Sequence, residues 1–377
     1  MIRSYKFRLF TNANQERELA FTLETHRRLY NEILDGRALC WEAARVNWSY
    51  FDQTAWFTIQ RRINPFFGKL NYRSAALTIK RADDAYMAFV KGKGKRARFK
   101  SRDRMMSFAF RYSNGGKVMP DGKLRLHNIG TIRVKWHRQL PAGKIKLARI
   151  LVENGKWFVT FAIEVANPEP TRLTASVGID VGLKSFVTTS GGESLGDSKT
   201  LENALPELRR RQRELSRCKC GSFRRLEVKR GVARLHAKVR NVRLDMHHKV
   251  ARSLVNRYGV IAAESLSVVN MLRNRRLARR IADAGWGQFV SVLCGKAESA
   301  GCQVILVDPK NTSQECSECG AIVRKSLAVR VHKCACGCVL DRDENAARNI
   351  LGRAGPEDRN EGNSLHGPKS RQLLLVV

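Results

Sequence analysis

The sequence predicts two structural classes in one chain, a β-barrel carrying a helical insertion and then an α/β domain. Three observations carry this. The turn dipeptides Asp121-Gly122 and Asn154-Gly155 punctuate strand-like runs between residues 105 and 170. In residues 13–95, Leu19, Leu23, Leu29, Tyr30, Ile33 and Leu34 recur at roughly helical spacing. After Ala175, short apolar strands alternate with long helical patterns.

Residues 1–12 read as a short strand, with Ile2, Tyr5, Phe7 and Leu9 set among basic residues. Asn12 or Asn14 is placed to cap the helical block that follows. The run KGKGKRARFKSRDR, residues 91–104, reads as a flexible, solvated loop suited to a nucleic-acid backbone. KIKLARILVE and KWFVTFAIEV suit a β-meander or small barrel, which strand 1–12 joins across the helical insertion. In the second half, VGIDVG is a buried strand and KSFVTTSGG its hairpin partner. Residues 205–257 form one or two long basic helices, broken near Cys220-Gly221-Ser222. GVIAAES (259–265) and CQVILVD (302–308) are further buried strands flanking a helix over 283–300, and another helix begins near Asp343. Residues 354–377 are polar until LLLVV and are expected to be disordered.

The chain of 377 residues is 43% hydrophobic, which is ordinary for a globular protein, so its charge does not come at the cost of a core. That charge is extreme, with 70 Lys+Arg against 34 Asp+Glu, a net of +36. Such a chain repels itself unless a polyanion neutralises it, and nucleic acid is the obvious partner. A basic ribosomal-type protein would share the composition, so composition alone does not imply an enzyme. Of ten cysteines, five fall between Cys316 and Cys338. MIRSYKFRLF lacks the apolar centre of a signal peptide and no apolar run reaches membrane-spanning length. The expected setting is intracellular, with cysteines reduced or metal-bound.

Three carboxylates stand where a two-metal nuclease needs them. Asp180 ends the strand VGID, Glu264 ends VIAAE, and Asp343 opens the last helix. Side chains at strand ends emerge together at one edge of an α/β sheet. Phosphodiester hydrolysis uses Mg²⁺ ions that prefer carboxylate oxygens. Taken singly, each has an ordinary explanation: a strand-ending Asp forms turns, and Asp343 suits a helix N-cap. Glu264 after four apolar residues is harder to dismiss, because an unpaired buried carboxylate is costly.

The most specific local signal is CSECG, followed after Gly320 to Lys333 by CACGC. Cys316 and Cys319 form a C-x-x-C knuckle, and Cys334, Cys336 and Cys338 offer the remaining thiolates. Tetrahedral Zn²⁺ needs four ligands, so one cysteine is surplus; His332 is a substitute ligand that four cysteines make unnecessary. Cys218 and Cys220 form a lone C-x-C, read as chance.

VGIDVGLKSF, VIAAESL, TSQECSECG and LDRDENAARNIL resemble the TnpB family encoded by bacterial insertion sequences. YKFRLF and RRLYNEIL are similar to that family's start, and GSFRR followed by VARLHAKVRNVRLDMHHK to its long central helices. The resemblance runs from residue 2 to about 353. Relatives include compact type V CRISPR effectors and the Fanzor proteins. The resemblance implies a wedge-type β-barrel (1–12 and 96–172) with a helical recognition insertion (13–95). It implies an RNase-H-like RuvC nuclease domain (173–309 and 343–353) with a zinc-ribbon insertion, a zinc-binding target-nucleic-acid domain (310–342), and a disordered tail (354–377). It further implies a guide RNA, target DNA beside a short motif, and Mg²⁺-dependent cleavage in the bacterial cytoplasm at the nucleoid. The catalytic, Mg²⁺-holding residues it implies are Asp180, Glu264 and Asp343. In the family the carboxylate just before x-N-A-A is catalytic, which selects Asp343 over Asp341. The implied Zn²⁺ ligands are Cys316, Cys319, Cys334 and Cys336, Cys338 falling where an apolar residue is common. C-x-C-G here is one residue shorter than the frequent C-x-x-C-G, and Cys218 and Cys220 replace positions that are often Lys. The alternatives are a DDE-type transposase, whose third carboxylate is usually Glu, a nuclease-inactive guided repressor, and a basic RNA-binding structural protein.

Overall fold

The computed structural model describes residues 1–196, 200–326 and 329–355. Residues 356–377, the greater part of the tail expected to be disordered, lie outside the described residues. The chain forms two compact units, Met1–Ala166 and Asn167–Val377.

In the first unit, strand β1 (Ile2–Phe10) precedes four helices, α1 (Ala13–Ala44), α2 (Tyr50–Ile63), α3 (Pro65–Gly68) and α4 (Tyr72–Val90). Asn12 caps α1: its side chain accepts from Gln15 N–H, and the Gln15 side chain accepts from Asn12 N–H. The helices close on Leu29, Ile33, Phe57, Phe67 and Ile79. Beyond the irregular segment 91–104 come β2 (Ser107–Arg111), β3 (Gly116–Val118), β4 (Leu124–Leu126), β5 (Gly130–Lys135), β6 (Lys144–Glu153) and β7 (Lys156–Glu164). Their sheet order is β2-β6-β7-β1-β5-β4-β3, all antiparallel. So β1 does join the later strands across the helical insertion. One bridge, Tyr112 to Gly116, links the edge strands, and the sheet encloses Phe7, Phe110, Ile132, Ile150, Val159 and Phe161. The β6–β7 turn places Asn154 at φ 50° and Gly155 at φ 72°, the left-handed pair a two-residue hairpin requires.

The second unit begins with β8 (Ser176–Val181), β9 (Val187–Thr189) and β10 (Ser194–Leu195). Helices α5 (Thr200–Arg217) and α6 (Phe223–Val255) follow, then β11 (Val260–Glu264), α7 (Val268–Met271), α8 (Ala278–Ala284), α9 (Trp286–Ala300) and β12 (Gln303–Val307). The hairpin β13 (Val331–Lys333) and β14 (Val339–Asp341) leads into α10 (Arg342–Arg353). The main sheet has order β10-β9-β8-β11-β12, with β8, β11 and β12 mutually parallel. The strands read as continuous apolar runs because both faces are covered. Val177, Ile179 and Ile261 pack on Leu254 of α6 and Phe289 and Leu293 of α9. Ala262 and Ile305 meet Ile350 and Ala354. Ala354, assigned above to the tail, is therefore core.

One further detail differs from expectation. The helix over 283–300 is split by Gly285, whose φ of 63° ends α8 before α9 starts. Gly178 is where α10 meets the sheet: a Cβ there would stand 2.0 Å from the carbonyl oxygen of Ala347. Only glycine lets the backbones of β8 and α10 approach so closely. Among the described residues, no helix is long and apolar enough to cross a membrane.

Candidate active site and metal centre

Parallel pairing of β8 with β11 sets Ile179 opposite Ala263, so Asp180 and Glu264 follow at the same carboxyl end of adjacent strands. Asp343 arrives from α10. The N-cap of that helix is Asp341, whose carboxylate accepts the N–H of Asp343 at 2.8 Å. The ordinary capping task thus falls to Asp341, and Asp343, only 7% exposed, is left for other work. All three carboxylates line one cavity of about 1050 Å³, with Trp286, Ile281 and Met271 among its apolar lining residues.

Burial first, and then the charges of Glu264 and Asp343, together push the Asp180 carboxyl up to about 8 against the opposing pull of Arg342. Burial also raises Glu264, while the Thr312 hydroxyl and Arg353 favour its ionised form. Arg342 stands 3.1 Å from one oxygen of Asp343 and Arg330 stands 3.8 Å from the other. Three acidic groups sharing a buried cavity repel one another when ionised, and a hard divalent cation relieves that repulsion with oxygen ligands. The donor set therefore fits Mg²⁺. The oxygens do not close on a single point: among the described residues, the groups with three or more ligand atoms within 4.8 Å of one another are built on cysteine.

Cys316, Cys319, Cys334 and Cys336 form one such group. The Sγ atoms of Cys316 and Cys336 are 3.7 Å apart, those of Cys319 and Cys334 3.5 Å. A tetrahedral zinc with bonds of about 2.3 Å separates its sulfurs by about 3.8 Å, so the four thiols fit it without rearrangement. Each knuckle is held by its own turn, Gly320 N–H donating to Cys316 O and Gly337 N–H to Cys334 O. Burial opposes ionisation of Cys316, but N–H groups of Cys319 and Glu318 and the His332 ring outweigh it and bring the thiol down to about 5. Cys338 lies behind the exposed Cys336, buried beside His332; these two and Cys316 form a second group of three. Cys218 and Cys220 border the α5–α6 turn and belong to neither metal-compatible group.

Sequence reading missed Arg330, Arg342 and Thr312. Arg342 sits between Asp341 and Asp343, and Thr312 opens TSQECSECG, so both carried a positional signal; Arg330 carried none. All three line the carboxylate cavity.

A family profile described as "Probable transposase" matches residues 146–275, which include Asp180 and Glu264. One described as "Cas12f1-like, TNB domain" matches residues 286–350, which include the cysteine cluster and Asp343. A "Helix-turn-helix domain" profile matches residues 1–45, which here form β1 and the single long helix α1. A "Putative RNA-guided DNA endonuclease" of Streptomyces pristinaespiralis is 32% identical over 356 residues, covering 93% of this chain and 88% of its own. The chain belongs to the TnpB family. "Putative RNA-guided DNA endonuclease InsQ" of Escherichia coli (strain K12) is 29% identical, covering 93% of this TnpB-family chain and 92% of its own. The solved structure of "the mini-RNA-guided endonuclease CRISPR-Cas_phi3" shares the fold, with a TM-score of 0.53 at 10% identity over 94% of this chain and 92% of that one.

Proposed function

We propose that this TnpB-family chain is an RNA-guided DNA endonuclease of a transposable element, cutting DNA that pairs with its guide RNA beside a short motif. The observation that carries the reading is the convergence of Asp180, Glu264 and Asp343 on one cavity from two neighbouring strand ends and one helix. We assign the second unit to an RNase-H-like RuvC nuclease interrupted at 310–342 by a zinc ribbon, and the β-sheet of the first to a wedge-type barrel with a recognition insertion at 13–95. Names and fold of the relatives support both assignments.

Asp180, Glu264 and Asp343 would hold Mg²⁺, which when bound polarises the phosphoryl oxygens and lowers the pKa of water. The chain's own groups do the rest. Arg330 and Arg342, now paired with Asp343, line the cavity together with Lys184 and Arg280 and stand in reach of a phosphate entering it. Trp286, Ile281 and Met271 bound the entering strand with apolar surface that sheds water. Cys316, Cys319, Cys334 and Cys336 would hold a closed structural Zn²⁺ that shapes the hairpin carrying Arg330 and does no chemistry. The net charge of +36 suits a long guide RNA and a displaced DNA strand.

The test separates binding from cutting. Asp180→Ala, Glu264→Ala and Asp343→Ala should each keep guide and target binding and lose Mg²⁺-dependent cleavage. Cutting retained by Asp343→Ala and lost by Asp341→Ala would reassign the third ligand. Guide-independent strand joining would favour a DDE-type transposase.

A further inference from the structure

Glu264 is the last residue of β11, and what meets its carboxylate is a side chain from the segment that leads into the ribbon. Thr312, 4% exposed, donates its hydroxyl proton to Glu264 Oε1 at 2.5 Å. Pro309 O, at 3.2 Å, is the weaker competitor for that one proton. The segment bearing Thr312 is in turn gripped by α10. Asn349 Nδ2 donates to Thr312 O at 2.8 Å and to Glu315 O at 2.7 Å. Asn345 Nδ2 donates to the same Glu315 O at 2.7 Å, and its Oδ1 accepts the N–H of Ser317 at 3.0 Å. Arg353 donates to Asp308 O at 2.8 Å, Lys310 O at 2.7 Å and the Glu315 carboxylate at 2.6 Å.

Asn345, Asn349 and Arg353 recur every four residues, so they share one face of α10, the helix whose first turn bears Asp343. Asp343 and Glu264 are therefore tied through one helix and a short series of hydrogen bonds, and that series includes the residue preceding Cys316. We propose that Thr312 is a positioning residue which fixes the Glu264 carboxylate for metal binding, and that the Asn345–Asn349–Arg353 face of α10 holds Thr312 in place. A hydroxyl spent on Oε1 leaves Oε2 free for a cation and locks the carboxylate's rotation; outer partners of this kind change metal affinity by roughly 10–100-fold. The proposal rests on the reading that Glu264 is a metal ligand.

The test measures Mn²⁺ binding to the full-length, RNA-free chain by loss of the free-ion EPR signal, and cleavage by the RNA-loaded chain over a Mg²⁺ titration. Thr312→Val removes the donor and keeps the shape. It should weaken Mn²⁺ binding roughly tenfold, keep the bound zinc, and recover cleavage at raised Mg²⁺. Thr312→Ser, which keeps the donor, should bind Mn²⁺ like the unaltered chain. Asn349→Leu should reproduce the Thr312→Val loss, and the double variant should be no weaker than either single, because both break one linkage. Unchanged Mn²⁺ binding and an unchanged Mg²⁺ requirement in Thr312→Val overturn the proposal. If Thr312→Val fails to keep its zinc, Thr312→Ser decides: weakened Mn²⁺ binding there, with zinc kept, also overturns it. Glu264→Gln separates the two levels. Wild-type Mn²⁺ binding in Glu264→Gln defeats the metal-ligand reading itself, whereas loss in Glu264→Gln with none in Thr312→Val defeats this inference alone.

Discussion

Adding one methyl group at Gly178, buried in β8, should disable cutting. The Cβ of Gly178→Ala would lie 2.0 Å from the carbonyl oxygen of Ala347 and 2.8 Å from both the N and Cβ of Leu351. Ordinary contact begins near 3.4 Å, and the closest obstacle is helix backbone, which cannot rotate away as a side chain can. Either α10 or β8 must move by about 1.4 Å in an interior packed too densely to absorb it. Such overpacking costs about 1–3 kcal/mol of stability. The same shift displaces Asp343, four residues before Ala347, relative to Asp180 on the strand it leaves. Misplacing a reacting group by about 1 Å costs on the order of 100-fold in rate. Single-turnover cleavage of a saturating target by the guide-loaded variant should therefore fall about 100-fold. Guide-RNA affinity, measured by filter binding, should not change. Cleavage at the unaltered rate by a folded Gly178→Ala chain would refute the claim that this contact sets the distance between the carboxylates.

Cys336→Ser should lose the zinc and Cys338→Ser should keep it, read by elemental analysis against about one Zn²⁺ per chain; the reverse would move the fourth ligand by two residues. Asp341→Ala, which removes only the cap of α10, should cost about 1 kcal/mol of stability yet still cut, unlike Asp343→Ala. The first unit should carry an acid-labile histidine. His26 is fully buried between Thr78 and Ser74, and because the Ser74 hydroxyl donates to Ala109 O, Nε2 must donate to Ser74 and Nδ1 must accept from Thr78. Burial lowers its pKa from 6.5 to about 3, so below 6.5 the unfolded chain binds the extra proton and stability falls with pH. About 2 kcal/mol should go between pH 7 and pH 5 in urea titrations, a loss absent from His26→Gln; equal pH slopes in the two proteins would remove His26 as the cause.

Much of this was legible in the sequence because the signals are local. Asn154-Gly155 fixes a hairpin by its dihedral demands alone, and Asn12 followed by Gln15 closes a capping box without help from elsewhere. VGID and VIAAE each carry a carboxylate at the close of an apolar run, and parallel pairing of β8 with β11 sets Asp180 and Glu264 side by side. What stayed hidden depends on distant parts meeting. Arg330 lies on the segment entering β13, and only the fold brings it to Asp343. Thr312 reads as a loop hydroxyl until β11 is placed beside it. The surplus cysteine could not be settled by counting, since Cys336 and Cys338 both lie in the turn between β13 and β14 and differ in burial, Cys336 exposed and Cys338 buried, which spacing alone does not show. Gly285 looked like one more helix residue, and its left-handed backbone appears only with α8 and α9 in place.

The measurement closest to the central claim is a guide exchange. One preparation of the protein is loaded with two RNAs that differ only in their variable ends, and each complex is given a plasmid library with Mg²⁺. The account predicts that each complex cuts only DNA complementary to its own guide, beside the same short motif, and that Asp180→Ala abolishes both cuts while leaving both targets bound. Cutting at one fixed sequence whichever RNA is loaded would contradict it.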